Sequence, residues 1–357
     1  MDKSALTKIS IIIMLSTITA ACSQKMPATY SWSQLPVVPD PVGFAGSYSG
    51  ISNGALIVAG GANFPDGGAP WTGSTKVWHD DVFVLEKAHG KWLRAGKLPA
   101  PLGYGVSLSW KDALVCIGGS NVSGHYADAF MLRYKDQNMQ VEKLPDLPAP
   151  LANSCGVLIG DVVYIAGGQK NAGDLVASDN FWSLDLSAPE KGWQILPAWP
   201  GLPRMLAVAG TAKGAFYLFS GVALKAGKRE YLKDAFKYEL GKGWQKISDL
   251  PAPVVAAPSP AYSPDNTNLQ IFGGDDGALA ARAAELKGNH PGFSKAILNY
   301  SVIADRWTVA GQIEPTAPVT TPLVVWNGQV VLPGGEVRPA TRTPNVLIVS
   351  VEETKTK

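Results

Sequence analysis

A short apolar run ending in a doublet of small residues occurs six times in this chain. The copies are ALIVAGG (55–61), ALVCIGG (113–119), VVYIAGG (162–168), AFYLFSG (215–221), LQIFGG (269–274) and QVVLPGG (329–335). Their second glycines fall at 61, 119, 168, 221, 274 and 335, so successive copies lie 58, 49, 53, 53 and 61 residues apart. A period of about 50 residues built from strands and glycines points to an array of propeller blades.

Each doublet is followed by a loop and a second apolar strand: DDVFVL (80–85), DAFML (128–132), NFWSLDL (180–186), DAFKYEL (234–240), KAILNYSV (295–302) and NVLIVSV (345–351). A third strand carries Trp92, Trp193, Trp244 or Trp307, with Val141 in that place in the second repeat. Several repeats then close on a Leu-Pro signal. A strand rich in small residues precedes each doublet, as in FAGSYSGI (44–51) and YGVSLSW (104–110). Four strands per repeat make one blade. The repeated Trp rings are expected to fill the wedges between blades, and the glycines to let the backbone turn sharply near the axis.

One strand is missing from this arithmetic. The sixth repeat ends at Val351 without a Trp strand, whereas YSWSQLP (30–36) carries Trp32 and a Leu-Pro signal but belongs to no repeat. The expectation is that the strand of Trp32 completes the last blade, which ties the chain ends together and covers two sheet edges open to aggregation. The fold class is therefore all-β, a six-bladed propeller over residues 30–357 closed by its N-terminal strand. A length of 357 residues alone would suggest two domains, but a repeat array of this size is a single body. The 38 glycines, 27 prolines and 17% charged residues suit short buried strands and tight turns. Only Leu279–Leu286, inside the fifth-repeat segment 275–293, reads as a helix, with a position suited to capping the mouth.

Residues 1–21 have the form of a signal peptide: Lys3 and Lys8, then an apolar stretch from Ile9 to Ala21 too short for a stable span. Ala20-Ala21 before Cys22 resembles a bacterial lipoprotein processing site, so residues 22–29 are expected to be a tether behind a lipidated Cys22. The alternative is plain signal cleavage. Either way the chain is expected to be exported, to the periplasm or as an outer-membrane lipoprotein, and to meet the membrane only through that anchor. Cys116 and Cys155 sit among apolar residues on predicted strands, and buried free thiols are expected there rather than a disulfide. The net charge of +2 and the scattered Lys and Arg exclude an electrostatic nucleic-acid binder. His79, His89, His125 and His290 form no metal-ligand spacing, so no metal is expected.

In a propeller the loops after the second strands open on one face. The residues following the doublets, Ala62, Ser120, Gln169, Val222, Asp275 and Glu336, should therefore ring one mouth. Two of them are acids, on adjacent blades. A carboxylate in a crowded, partly dry mouth is a candidate general base; the competing reading is that each accepts N–H bonds from its own loop. The sixth doublet runs on as GGEVRPATRT (334–343), which places Glu336 and Arg342 six apart in one loop. That pair reads either as a local ion pair or as a division of labour, the Arg gripping a ligand carboxylate while the Glu moves a proton. Asn63 and Phe64 in the long first-blade loop, and Asn121 in the second, are weaker mouth candidates.

The grammar of apolar run, Gly-Gly, aromatic strand and Trp resembles the Kelch motif over about residues 30–351. Gly-Glu, then Arg six after the Glu, then Thr resembles the catalytic loop of bacterial Kelch-type N-acetylneuraminate epimerases, also called sialic acid mutarotases. The segments 43–64 and 104–119 resemble blades found late in better-known members, so the order looks like a cyclically permuted branch. The resemblance implies interconversion of the α- and β-anomers of sialic acid by acid/base ring opening and closing, with no cofactor. It implies that Glu336 accepts the proton and that Arg342 belongs to the same site. Arg204, in LPRMLAV, would be a second cation suited to an anionic sugar, and Asp275 or water the acid partner. Two other functions stay open: a mutarotase for another sugar, and a non-catalytic propeller that binds a glycan or protein.

Overall fold

The computed structural model describes residues 29–352. The expected signal peptide, Cys22 and all but the last residue of the tether lie outside those residues. The described chain forms a six-bladed propeller with blades arranged around a central channel. Blade 1 runs outward from the axis as Tyr48–Ser52, Ala55–Ala59, Asp81–Leu85 and Leu93–Lys97, each antiparallel to the next. Blades 2, 3 and 4 repeat that order. The second strands are the doublet-bearing runs, and Ala55–Ala59, Ala113–Ile117 and Ala215–Phe219 are buried at every position. They read as unbroken apolar runs because both faces of each sheet pack against a neighbouring blade. The cluster of Tyr48, Ile57, Leu114 and Phe130 fills the wedge between blades 1 and 2 in this way.

The missing strand is where the repeat arithmetic put it. Thr29–Leu35 lies antiparallel on Val346–Glu352 over seven paired positions, Trp32 opposite Val349, as the outer strand of blade 6. The propeller therefore begins at Thr29, one residue earlier than expected. The Leu-Pro signals also gain a reason. The indole N–H of Trp92 donates to the Pro36 carbonyl at 2.8 Å, that of Trp193 to Pro145 at 2.9 Å and that of Trp244 to Pro197 at 2.7 Å. Each Trp thus bolts its blade to the end of the preceding blade's outer strand.

Two expectations need correction. Blade 5 has three strands, Asn268–Phe272, Ala296–Ser301 and Arg306–Gln312, and its innermost strand is reduced to a single bridge between Tyr262 and Gln270. Its inner segment, APSPAYSP (257–264), carries three prolines, which lack the N–H that a ladder requires. The helix expected at Leu279–Leu286 is broken into the 3-10 turn Ala280–Arg282, one α-turn Ala283–Leu286 and the 3-10 turn Lys287–Asn289. No side chain caps it and none of its residues is buried; an Arg282–Glu285 pair and a hydrogen bond from Arg338 Nη1 to the Gly288 carbonyl at 2.9 Å support it. Cys116 and Cys155 are buried free thiols, as expected, and burial pushes the Cys155 thiol up to about 12.

Around the axis the six blades are joined by a closed circle of backbone hydrogen bonds. Gly46 N–H donates to Thr320, Thr320 to Ala256, Ala256 to Leu206, Leu206 to Asn153, Asn153 to Tyr104, and Tyr104 back to Gly46, all at 2.7–2.9 Å. All six residues have positive φ, between 54° and 67°. The circle holds five non-glycine residues in a region that costs energy for L side chains, and its six bonds repeat the same geometry in every blade. The channel at and below it is a cavity of about 80 Å³ lined by Ser47, Ser107, Ser154 and Thr321 among others. A sugar needs a pocket of roughly 300 Å³ or more, so this channel itself does not hold one.

Candidate functional site

The mouth is built as the doublets foretold. Ala62, Ser120, Gln169, Val222, Asp275 and Glu336 each pair with the residue just before the circle in their own blade: Ala45, Gly103, Ala152, Met205, Val255 and Val319. Four of the post-doublet segments then rise as two-stranded hairpins, in blades 1, 2, 4 and 6. In blade 6 the hairpin strands Glu336–Arg338 and Thr341–Arg342 place Glu336 directly opposite Arg342. Six residues of sequence separation become a facing pair because the turn between them is tight.

Glu336 Oε1 accepts the N–H of Ala340 at 2.7 Å, which anchors the carboxylate. Its Oε2 stands 3.7 Å from Arg342 Nη2, a loose ion pair that leaves this oxygen open to a further proton or hydrogen bond. The Arg342 side chain is only 3% exposed. Its guanidinium lies 4.9 Å from the Phe64 ring centroid, a cation–π contact that fixes its plane. Nη2 also faces the Tyr104 hydroxyl at 3.5 Å. Nε and Nη1 are buried and have no hydrogen-bond partner. Buried donors are rarely left unmade, since each costs about 1–3 kcal/mol. The Nε–H points to the Nη2 side while Nη1 lies beside Cδ, so the two open donors face different directions and each offers an anion a charge-assisted hydrogen bond.

The circle explains why these groups meet. Gly46 of blade 1 lies between Thr320 of blade 6 and Tyr104 of blade 2, and it is the one circle member without a side chain. A Cβ on Gly46 would stand 2.6 Å from the Tyr104 ring. The Tyr104 ring therefore leans over blade 1 toward the blade 6 hairpin. From the blade 1 hairpin, Lys76 Nζ lies 5.2 Å from the Tyr104 ring centroid and 5.5 Å from that of Trp78. Phe64, Lys76 and Trp78 of blade 1, Tyr104 of blade 2, and Glu336 and Arg342 of blade 6 thus make one off-axis cluster. Lys76 carried no signal in the repeat pattern, and Tyr104 none beyond its distance from the doublet.

The remaining candidates have local jobs. Arg204 is a correction: it is fully buried between blades 3 and 4, pairs with both oxygens of Asp234 at 2.8 Å, and also donates to the carbonyls of Leu202 and Ser220. Trp199 and Phe236 flank it. It offers no free donor to the mouth. Breaking such a buried pair costs about 3–5 kcal/mol. Arg204→Met is expected to lower the melting temperature markedly while the folded protein keeps its activity per molecule; a large loss of activity at full stability would restore it to the site. Asn63 is buried, donates to Gly43 and Asp40 and bonds the His79 ring at 2.8 Å, so it ties the first loop together. Burial lowers the His79 pKa. Asn121 donates to the Pro101 carbonyl and accepts from Ser123 and Tyr126 in its own hairpin.

Asp275 accepts the Tyr231 hydroxyl at 2.7 Å and the Gly277 N–H at 3.0 Å. Its two oxygens thus hold Tyr231 and the start of its own loop. Burial first, and Asp275 second, push the Tyr231 hydroxyl up to about 12. Among the described residues no three His, Cys, Asp or Glu side chains are grouped to hold a metal ion.

The fold and mouth define a class: a Kelch-type six-bladed propeller whose last blade presents a carboxylate and a half-satisfied guanidinium. A family model described as N-acetylneuraminate epimerase matches residues 14–141 and 144–282, and the chain belongs to that family. It is 44% identical over 103 residues to the N-acetylneuraminate epimerase of Salmonella enteritidis PT4 (strain P125109), covering 26% of each chain. It is 39% identical over 106 residues to that of Haemophilus influenzae (strain PittEE), covering 26% of this chain and 28% of the relative. The chain thus aligns with about a quarter of the length of these relatives. A solved structure titled "Structure of YjhT" shares the fold, with a TM-score of 0.66 and 17% identity over 90% of this chain and all of that one. Glu336 and Arg342 lie beyond the residues matched by the family model.

Proposed function

We propose that this protein interconverts the α- and β-anomers of N-acetylneuraminate. One observation carries the reading: a buried Arg342 guanidinium with Nε and Nη1 unfilled, beside a carboxylate with one open oxygen. N-acetylneuraminate has a carboxylate on its anomeric carbon. If that carboxylate accepts from an open Arg342 donor, the anomeric hydroxyl is held next to Glu336. Glu336 Oε2 then takes the hydroxyl proton as the ring carbon–oxygen bond opens, and returns it when the ring closes on the other face. General acid–base help of this kind is worth about 10²–10⁴-fold. Family membership supports the sugar, and the geometry supports the roles of the two residues.

The test is direct. A sialidase releases the α-anomer, and the anomeric signals are followed by NMR with and without the protein. Faster equilibration at catalytic protein levels is expected. Absence of acceleration removes the reading; sugar binding without turnover would instead mark a binding propeller.

We further propose that the chain is exported and anchored through a lipidated Cys22. Strand Thr29–Leu35 enters blade 6 with Thr29 opposite Glu352, at the end of the blade remote from the doublet and the mouth. An anchor there would leave the mouth facing away from the membrane. Radiolabelled fatty acid should enter the wild-type protein in cells and not the Cys22→Ser variant; equal labelling of both would overturn the anchor.

A further inference from the structure

We infer that Tyr104 is the general acid of the reaction, the group that protonates the ring oxygen as the sugar opens; the inference rests on the mutarotase reading. Ring opening moves two protons. The anomeric O–H loses one to Glu336, and its electrons form the carbonyl. The ring carbon–oxygen bond breaks, and its electron pair leaves with the ring oxygen, which must gain a proton. Closure reverses both transfers, so no oxidant, reductant or other reactant enters. Glu336 supplies one half of this exchange, while the Asp275 oxygens are engaged by Tyr231 and Gly277.

The Tyr104 hydroxyl is placed for it. It stands 3.5 Å from Arg342 Nη2, and Glu336 Oε2 stands 3.7 Å from the same nitrogen. A base and a hydroxyl donor therefore flank the one guanidinium that would orient the substrate. Negative charge develops on the phenol oxygen as its proton leaves. The Arg342 guanidinium at that oxygen and the Lys76 ammonium over the ring face stand where they stabilise it. The placement is also held rigidly. Tyr104 is a bulky residue at φ 62°, fixed there by donating to Gly46 and accepting from Asn153 in the backbone circle. Gly46 leaves the space its ring occupies.

The test compares wild type with Tyr104→Phe, which keeps the ring, its packing and the backbone. Anomer exchange by NMR over a range of substrate concentration and pH is expected to show kcat down by about a hundredfold or more, with KM within a few fold. The alkaline fall of the wild-type pH–rate profile, the loss of the acid's proton, should vanish in the variant. Lys76→Met, which removes one cation and no proton donor, should show a smaller kcat loss and keep the alkaline limb. A Tyr104→Phe enzyme within threefold of wild type overturns the inference while leaving the mutarotase intact. A raised KM at unchanged kcat also overturns it, and makes Tyr104 a positioning residue for Arg342. If wild type itself fails to accelerate exchange, the inference falls together with the reading beneath it.

Discussion

Replacing Glu336 with Gln and Arg342 with Met should each abolish most of the catalysis, in two different ways. Glu336→Gln keeps the Ala340 hydrogen bond and the hairpin but removes the open carboxylate oxygen. Its kcat is expected to fall by about 10²–10⁴-fold with KM little changed. Arg342→Met removes the open guanidinium donors. Truncating one side of a buried charge pair costs roughly 2–5 kcal/mol, which at about 1.4 kcal/mol per decade is thirtyfold or more in kcat/KM, with KM carrying much of it. The same substitution should not lower the melting temperature. The protein alone leaves two buried guanidinium donors unpaired, and replacing an incompletely bonded buried charge by an apolar chain of similar reach is neutral or stabilising. Steady-state exchange rates and thermal melts check all three. A stable Arg342→Met protein with unchanged kcat/KM would remove Arg342 from the site. A sharp fall in melting temperature would show that its burial serves the fold instead.

The second large effect concerns the ends of the chain. Deleting residues 30–36 should destabilise the whole propeller rather than fray one terminus. The deletion removes nearly all of a seven-residue strand from blade 6 and exposes the backbone edge of Val346–Glu352. It also opens the wedge to blade 5, where the Tyr30 and Trp32 rings each lie 6.1 Å from Phe272 and where Gly311 has no side chain because the Tyr30 ring occupies that space. Losing the Trp32 side chain alone costs about 3 kcal/mol. Removing the strand also leaves Trp92 without its carbonyl acceptor at Pro36, so the damage reaches blade 1. Set against a total stability of roughly 5–15 kcal/mol, the truncated protein should lose cooperative unfolding near physiological temperature. A deletion protein that melts within a few degrees of wild type would show that the other five blades hold the ring closed unaided.

Much of this architecture was legible because blades are local. A doublet, a strand and a Trp each lie within one repeat, and the departures from the repeat were visible as departures: a Trp strand without a blade, and a Gly-Gly followed by Glu336 and Arg342. The site was half legible for the same reason, since Glu336 and Arg342 share one hairpin. Tyr104 and Lys76 were not, because they come from other blades and touch the hairpin only in space. One signal was present. The circle residue precedes the second glycine of its doublet by fifteen positions in five blades and by eighteen in blade 5, from Gly46 and Gly61 to Thr320 and Gly335. Aligning on that offset would have set Tyr104 beside Gly46. Arg204 was misread for the converse reason: its carboxylate, Asp234, lies thirty residues away, and nothing near LPRMLAV announces it.

The sequence by itself determined six blades, the succession of their strands and the closing strand, because period and apolar pattern act over a few residues and repeat. Only the tertiary structure decided which residues face the substrate. Closing the ring brings blade 6 against blade 1 and, across Gly46, within reach of blade 2. The carboxylate, the guanidinium and the phenol converge there because a circle of six backbone hydrogen bonds leaves one position without a side chain.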